Sequence, residues 1–436
     1  MQTIVALATP PGNSGVAVIR MSGERARSIL SELIRDKDVL TARKMYLKNV
    51  YIGEIVDNCL VVYFPAPNSF TGEDVVEIQS HGGYFLAQKI IDECIRLGAQ
   101  VADRGEFSKR AFINGKLSLD QAEGIMDLIN AESEMQAQAG STLMQGRLKE
   151  KIQAYQRELT DSLADIEAKL DYPEYEYTAS ESADIKGKIE QIVSNLHTLI
   201  DDSTVGVVIK NGVKVALVGA PNVGKSSLLN ALTKTNRAIV TAVAGTTRDV
   251  IEAEYTYNGI IFRLFDTAGI HESTDEVELI GIERARKALA DADIVLRVSD
   301  DQSRCEIQTD KPYIDVYNKS DKLSKVEKAS HEGTNNINVS ARTGENIDQL
   351  KQMIFERTIS GSVNTNKFYL TNTRHITAVK EALSHLKNAL EIFDTTSMDI
   401  LSSEIKQAWQ SLGEITGETN NEAIIDRIFE KFCLGK

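Results

Sequence analysis

The chain has 436 residues, of which 42% are hydrophobic and 26% charged, and a formal net charge of −14. This excludes a disordered or fibrous chain, and the length exceeds what one core serves, so roughly two to four domains are expected. Cys59, Cys94, Cys305 and Cys433 form no CxxC pair and no His/Cys cluster. That argues against structural zinc and a disulfide framework, and for a cytoplasmic location. No apolar run approaches the roughly 18 residues of a membrane span, so no membrane association is expected.

Residues 1–117 mix β-type runs, VAVIR (16–20), LVVYF (60–64) and VVEIQ (75–79), with an amphipathic stretch, AQKIIDECIRLG (87–98), that stops on Gly98. This predicts an α+β N-terminal domain. It carries 14 basic against 13 acidic residues, leaving 35 against 50 for the remainder. Residues 118–209 turn helical, with Ile152, Tyr155, Leu159, Leu163, Ile166 and Leu170 at helical spacing. Residues 210–355 alternate strands and helices like a doubly wound α/β sheet. From 356 to 436 the pattern is helical again, with Ile376, Val379, Leu383, Leu386 and Leu390 on one face. The α/β domain therefore reads as an insertion between the two halves (118–209 and 356–436) of an all-α domain.

The strongest chemical signal lies in that insertion. The strand KVALVG (214–219) runs into GAPNVGKSS (219–227) and the helical LLNALTK (228–234), the strand-loop-helix context of a phosphate-binding P-loop. Gly219 and Gly224 let successive N–H groups of the loop, among them those of Asn222, Val223, Ser226 and Ser227, face a β-phosphate. Lys225 is placed to reach the β/γ-phosphates and Ser226 a magnesium ion. NKSD (318–321) follows the strand YIDVY (313–317), and Asn318, Lys319 and Asp321 suit guanine. A carboxylate accepts from the ring N–H and the exocyclic amine, a donor pair that adenine lacks. SAR, Ser340-Ala341-Arg342, completes the base pocket. GTP is thus the expected nucleotide of a Ras-like GTPase domain.

Between these motifs stand two candidate switches. Thr246-Thr247-Arg248-Asp249 offers hydroxyls to magnesium and the γ-phosphate. Asp266-Thr267-Ala268-Gly269 follows the strand IIFRLF (260–265) and offers a carboxylate and an amide. Ile270 stands where Ras-type GTPases carry a water-orienting glutamine. Asn222, with carbonyls near Thr241 and Val243, could instead bind a monovalent cation that supplies the charge of an arginine finger. A plain loop role for Asn222 remains the alternative from chemistry alone.

The joint presence of GAPNVGKSS, GTTRD, DTAG, NKSD, FTGEDVVEIQSHGG (70–83), RGEFSKRAFINGKLSLDQAEG (104–124) and FCLGK (432–436) resembles the MnmE (TrmE) family of tRNA-modification GTPases, of the TrmE-Era-EngA type, over essentially the whole chain. The resemblance implies a cytoplasmic homodimer whose N-terminal domains bind a 5-formyl- or methylene-tetrahydrofolate. It implies a flavoprotein partner, MnmG, and modification of C5 of the wobble uridine of certain tRNAs. It further implies potassium ligands at Asn222, Thr241, Val243 and Thr246, magnesium ligands at Ser226 and Thr247, and a water-orienting Glu278. The folate contacts it implies are Arg20, Glu77, Lys116 and Lys436. A ribosome-assembly GTPase or a pure nucleotide switch is the alternative reading.

Two departures from the family stand out. His271 replaces the usual basic residue of the second switch, and segment 300–312 is too short to be expected to hold a full crossover helix. In the tail, Ile424, Ile428 and Phe432 recur every four residues, which predicts an amphipathic helix running to Cys433 and stopping at Gly435. Gly435 and Lys436 do not fit a prenylation box. Cys433 is read either as a packed thiol or as a catalytic group acting on the one-carbon unit.

Overall fold

The computed structural model describes residues 2–36, 40–171, 179–234, 253–266, 289–300, 305, 307–324, 333–359, 367–393 and 398–435. They cluster into two units. The first comprises 1–126, 140–192 and 381–436, and the second 127–139 and 193–380.

The first unit is built on a six-stranded sheet of β1 (Ile4–Leu7), β2 (Val16–Ser22), β3 (Tyr46–Ile52), β4 (Ile55–Phe64), β5 (Val75–His81) and β6 (Gln100–Val101). Their spatial order is β3-β4-β5-β2-β1-β6. Alternation sends Val50, Cys59, Val61, Val76, Ile78, Ile19 and Met21 to one face. Two helices cover that face. α1 (Ala26–Ile34) contributes Ile29, Leu30 and Leu33, and α2 (Tyr84–Arg96) contributes Ala87, Ile90, Ile91 and Cys94. Burial pushes the Cys94 thiol up to about 12, so it acts as a small apolar filler. Gly98, at φ +103, closes α2 as its position in the sequence predicts, its N–H donating to Ile95 O at 2.9 Å. A third helix, α3 (Glu106–Ile113), follows β6.

The helical part of this unit pairs Arg147–Asp171 with Met398–Thr416. Ile152, Leu159 and Ile166 are buried as the spacing predicts, whereas Leu170 is exposed. Gln156 and Ser162 take places on the buried face that the apolar count does not reveal; Ser162 Oγ donates back to Glu158 O at 2.9 Å, which removes the cost of its burial.

The tail differs from its expected form. The helix Glu422–Phe429 is capped by Asn421, whose side chain accepts from Ala423 N, but it ends four residues before Cys433. Ile424, the first member of the expected stripe, is exposed. The helix stops because Phe432 turns in beside Phe429, with ring centroids 5.0 Å apart, into a cluster with Leu119 and Ala122. Past this turn Cys433 O is claimed from outside the helix, Gly105 N donating to it at 3.3 Å.

The second unit holds a six-stranded sheet, β7 (Val213–Val218), β8 (Ala253–Tyr257), β9 (Ile260–Asp266), β10 (Ile294–Ser299), β11 (Tyr313–Tyr317) and β12 (Asn336–Asn338), in the order β12-β11-β10-β7-β9-β8. Every pairing is parallel except β8 with β9. The near-continuous apolar runs of β7 and β10 are those of strands buried on both faces. Met135 and Ile209 join this core. Thus parts of the segment that the sequence groups with the helices, 127–139 and 193–209, pack with the α/β sheet. Between β10 and β11 none of the described residues is helical. There Arg297 forms a two-pronged ion pair with Asp315, at 2.6 and 2.7 Å, across neighbouring strands.

Candidate functional site

β7 delivers the chain to loop 219–224 at the carboxyl end of the sheet, and the helix Lys225–Thr233 leaves it. Gly224 begins that helix at φ +96, and a Cβ there would sit 2.4 Å from Asn318 Nδ2, so the position has room only for glycine. Lys225 Nζ donates to Gly219 O at 2.9 Å and Ala220 O at 3.1 Å, bending across the curled loop. Asn222 is exposed in the left-handed region at φ +66, a conformation that asparagine tolerates.

The base-binding motif is tied to this loop. Asn318 is buried; its amide donates to Val223 O at 2.9 Å and its Oδ1 accepts from Ala341 N at 3.1 Å. The Ala341 N–H is therefore engaged by Asn318. Lys319 Nζ reaches Asn222 O at 2.8 Å and Asp300 Oδ2 at 2.6 Å. Asp321 is exposed, and its Oδ1 accepts from Ser340 Oγ at 2.6 Å. That bond, ahead of the nearby Arg342 and Lys322 charges, holds the carboxyl below the usual range, so it is ionised when guanine arrives. Arg342 lies exposed at the rim.

The carboxylate of Asp266 closes the phosphate end. Its Oδ2 accepts from Ser226 Oγ at 3.3 Å, and its buried Oδ1 meets no partner among the described residues. An orphaned carboxylate oxygen beside a serine hydroxyl fits the hard-oxygen demand of magnesium. Ser227 is exposed on the helix. Thr241, Val243, Thr246, Thr247, Thr267, Ala268, Gly269, His271 and Glu278 lie outside the described residues, as does Lys436.

A second constellation occupies the first unit. Arg20 on β2 and Glu77 on β5 are register partners, joined at 2.7 Å. The Arg20 guanidinium lies 5.8 Å from the Phe70 ring and 5.9 Å from the Phe107 ring, and its Nη1 reaches Gly435 O at 3.5 Å. Gly435 sits at φ +87 with its α-carbon against β1, where a Cβ would meet Leu7 O at 2.3 Å. Lys116 is exposed and lies along Gly72, two residues from Phe70. The loop carrying Phe70 and Gly72 is fixed by Arg110, buried and bonded to Glu73 and Glu106. The sequence reading missed Arg110, although the Glu106/Arg110 spacing of four is a visible helical ion pair. Cys433 is exposed, so it does not fill a core position.

Residues 3–116 match the model of the GTP-binding protein TrmE N-terminus, and residues 119–433 that of the MnmE helical domain. The chain belongs to the MnmE family of tRNA modification GTPases. The MnmE proteins of Lactobacillus delbrueckii subsp. bulgaricus and Lactobacillus johnsonii are 37% and 38% identical to it, each match spanning all of this chain and 98% of the relative. Among solved structures, the G domain of the T. maritima FeoB iron transporter is 32% identical over 34% of this chain and 99% of that one, with a TM-score of 0.26. Like the family, the chain combines an α+β N-terminal part, helices and a P-loop GTPase domain. No helix among the described residues is long and apolar enough to cross a membrane.

Proposed function

We propose that this MnmE-family chain hydrolyses GTP to drive modification at C5 of the wobble uridine of certain tRNAs. In this reading it works in the cytoplasm as a homodimer with the flavoprotein MnmG and takes a one-carbon unit from a tetrahydrofolate. The observation that carries the proposal is the Arg20–Glu77 pair, framed by Phe70 and Phe107 and reached by Gly435 O. A GTPase acting only as a timer, or in ribosome assembly, has no use for such a site. A folate does, since the Arg20–Glu77 pair offers a donor and an acceptor to its pterin, the exposed Lys116 offers a donor to its carboxylates and the rings provide an apolar wall. Lys436 and Cys433 complete the proposed site, Lys436 as a further donor and Cys433 as an exposed thiol beside it.

In the nucleotide site, Asp321 selects guanine and Asn318 holds the base motif on the P-loop. Lys225 turns from the loop carbonyls to the β/γ-phosphates, exchanging neutral acceptors for charged ones. Bound magnesium supplies neutralising charge at those phosphates, held by Ser226 and Thr247 with Asp266 beside them. Asn222, with Thr241, Val243 and Thr246, is proposed to hold potassium, and Glu278 to orient the attacking water. Wobble-nucleoside analysis of tRNA from cells lacking this chain tests the proposal. Loss of the C5-modified uridines is expected, and an unchanged nucleoside profile rejects it.

A further inference from the structure

Several cations of the N-terminal part are neutralised on the spot: Arg20 pairs with Glu77, Arg96 with Glu93, Arg110 with Glu73 and Glu106, and Lys109 with Asp426. One edge breaks this habit. Between residues 25 and 48 the sequence has seven basic against three acidic residues, in a chain whose net charge is −14. β3 is the outer strand there, and Arg43 and Lys44 lead into it. Arg43 N donates to Tyr63 O at 2.8 Å and its guanidinium to Asn68 O at 2.6 Å, and Arg35 leaves the end of α1. Among the described residues no carboxylate forms an ion pair with Arg27, Arg35, Arg43 or Lys44. Lys48, paired with Asp36, is the neutralised member of the row.

Three of these four unpaired cations are also stacked. The Arg35 guanidinium lies 4.1 Å from the Tyr51 ring centroid, Lys44 Nζ 5.4 Å from Tyr46, and Arg27 5.3 Å from Tyr63. Arg35, Arg43 and Lys44 are exposed. From Lys44 to Tyr51 the strand advances about 23 Å at ~3.3 Å per residue, a length that tracks several successive phosphates. Gathering like charges without counter-charges is unfavourable unless a polyanion neutralises them. Flat guanidinium–tyrosine stacks add faces on which unpaired bases can lie.

We propose that the β3 edge, through Arg35, Arg43 and Lys44, is a surface on which the N-terminal part holds RNA by its phosphate backbone. The proposal rests on the tRNA-modification reading and adds the place of contact. Phosphate contacts of this kind set orientation rather than sequence choice.

The test replaces all three residues in the full-length chain, Arg35→Glu, Arg43→Glu and Lys44→Glu, and measures binding of an unmodified tRNA transcript between about 50 and 200 mM salt, with GTP hydrolysis in parallel. Binding weakened about tenfold or more is expected, with the slope of log K against log salt reduced by about 2 to 3 and hydrolysis unchanged. Unchanged affinity and slope overturn the proposal, as does absence of tRNA binding by the unaltered chain. In that last case, missing wobble modification in cells lacking the chain leaves the functional reading standing. Intact RNA binding with modification lost assigns the edge to a protein partner and equally overturns it. Should the triple variant fail to fold, Arg43→Ala and Lys44→Ala are each expected to lower the salt slope by about one, and an unchanged slope in both rejects the surface.

Discussion

Ser340 and Asp321 meet at the base end of the nucleotide site, the serine hydroxyl donating to the carboxylate at 2.6 Å. The bond favours the ionised acid and lowers its pKa. What it contributes is present above the unfolded carboxylate range and is lost as pH falls through the lowered value of the folded state. Asp321→Asn replaces an acceptor with a donor, so GTP affinity is expected to fall at least ~30-fold and xanthosine triphosphate to bind better. Ser340→Ala is expected to move the acid limit of GTP binding to higher pH, read by titration calorimetry across the acidic range. Unchanged affinity in Asp321→Asn removes the motif from the guanine site.

Asn318 joins two loops through buried bonds to Val223 O and Ala341 N. In Asn318→Ala the Val223 carbonyl and the Ala341 amide both lose this partner, at a cost of about 1–3 kcal/mol. Thermal unfolding should show that loss without nucleotide, and GTP affinity should drop with it. A variant as stable as the parent means that water replaces the side chain.

Asn222 presents an exposed amide from a left-handed turn of the P-loop. Hydrolysis is expected to be at least about tenfold faster in potassium than in sodium, and Asn222→Ala to abolish the difference while retaining nucleotide binding. Steady-state phosphate release in the two salts decides it, and equal rates for the unaltered chain refute the cation reading.

Glu77→Gln removes the charge that faces Arg20, and Gly435→Ala forces a Cβ onto Leu7 O. Both are expected to weaken binding of 5-formyl-tetrahydrofolate about tenfold or more while leaving GTP hydrolysis unchanged. Equilibrium dialysis against the folate, alongside a hydrolysis assay, reads both effects. Cys433→Ser is expected to keep folate binding and lose modification, because its exposed thiol is placed in the proposed chemistry and not in the core. Full modification by that variant withdraws the catalytic role.

The nucleotide site was legible because its chemistry is local. GAPNVGKSS and NKSD each place their groups within a few residues of a strand end, and β7 and β11 fall where those motifs put them. What could not be read is what depends on partners distant in sequence. The bond from Ala341 N to Asn318 spans 23 positions and that from Ser340 to Asp321 spans 19, and neither has a spacing rule. The tail shows the same limit. Periodicity of four carried the expected helix to Cys433, but the packing of Phe432 against Phe429 ends it at Phe429. Leu170 likewise continues an apolar stripe on paper and faces solvent in the fold.

The contact between Arg20 and Gly435 joins residues 415 positions apart. At about 5–20 residues per second, a ribosome needs on the order of 20–80 s to make the second after the first. β1 to β6 and their covering helices can meet well before that, yet the groove beside Leu7 stays open to solvent, and Arg20 lacks the carbonyl that reaches it. A nascent chain that has not yet reached Gly435 can therefore carry a folded sheet without the completed Arg20 site, which makes the docking of Gly435 a late step.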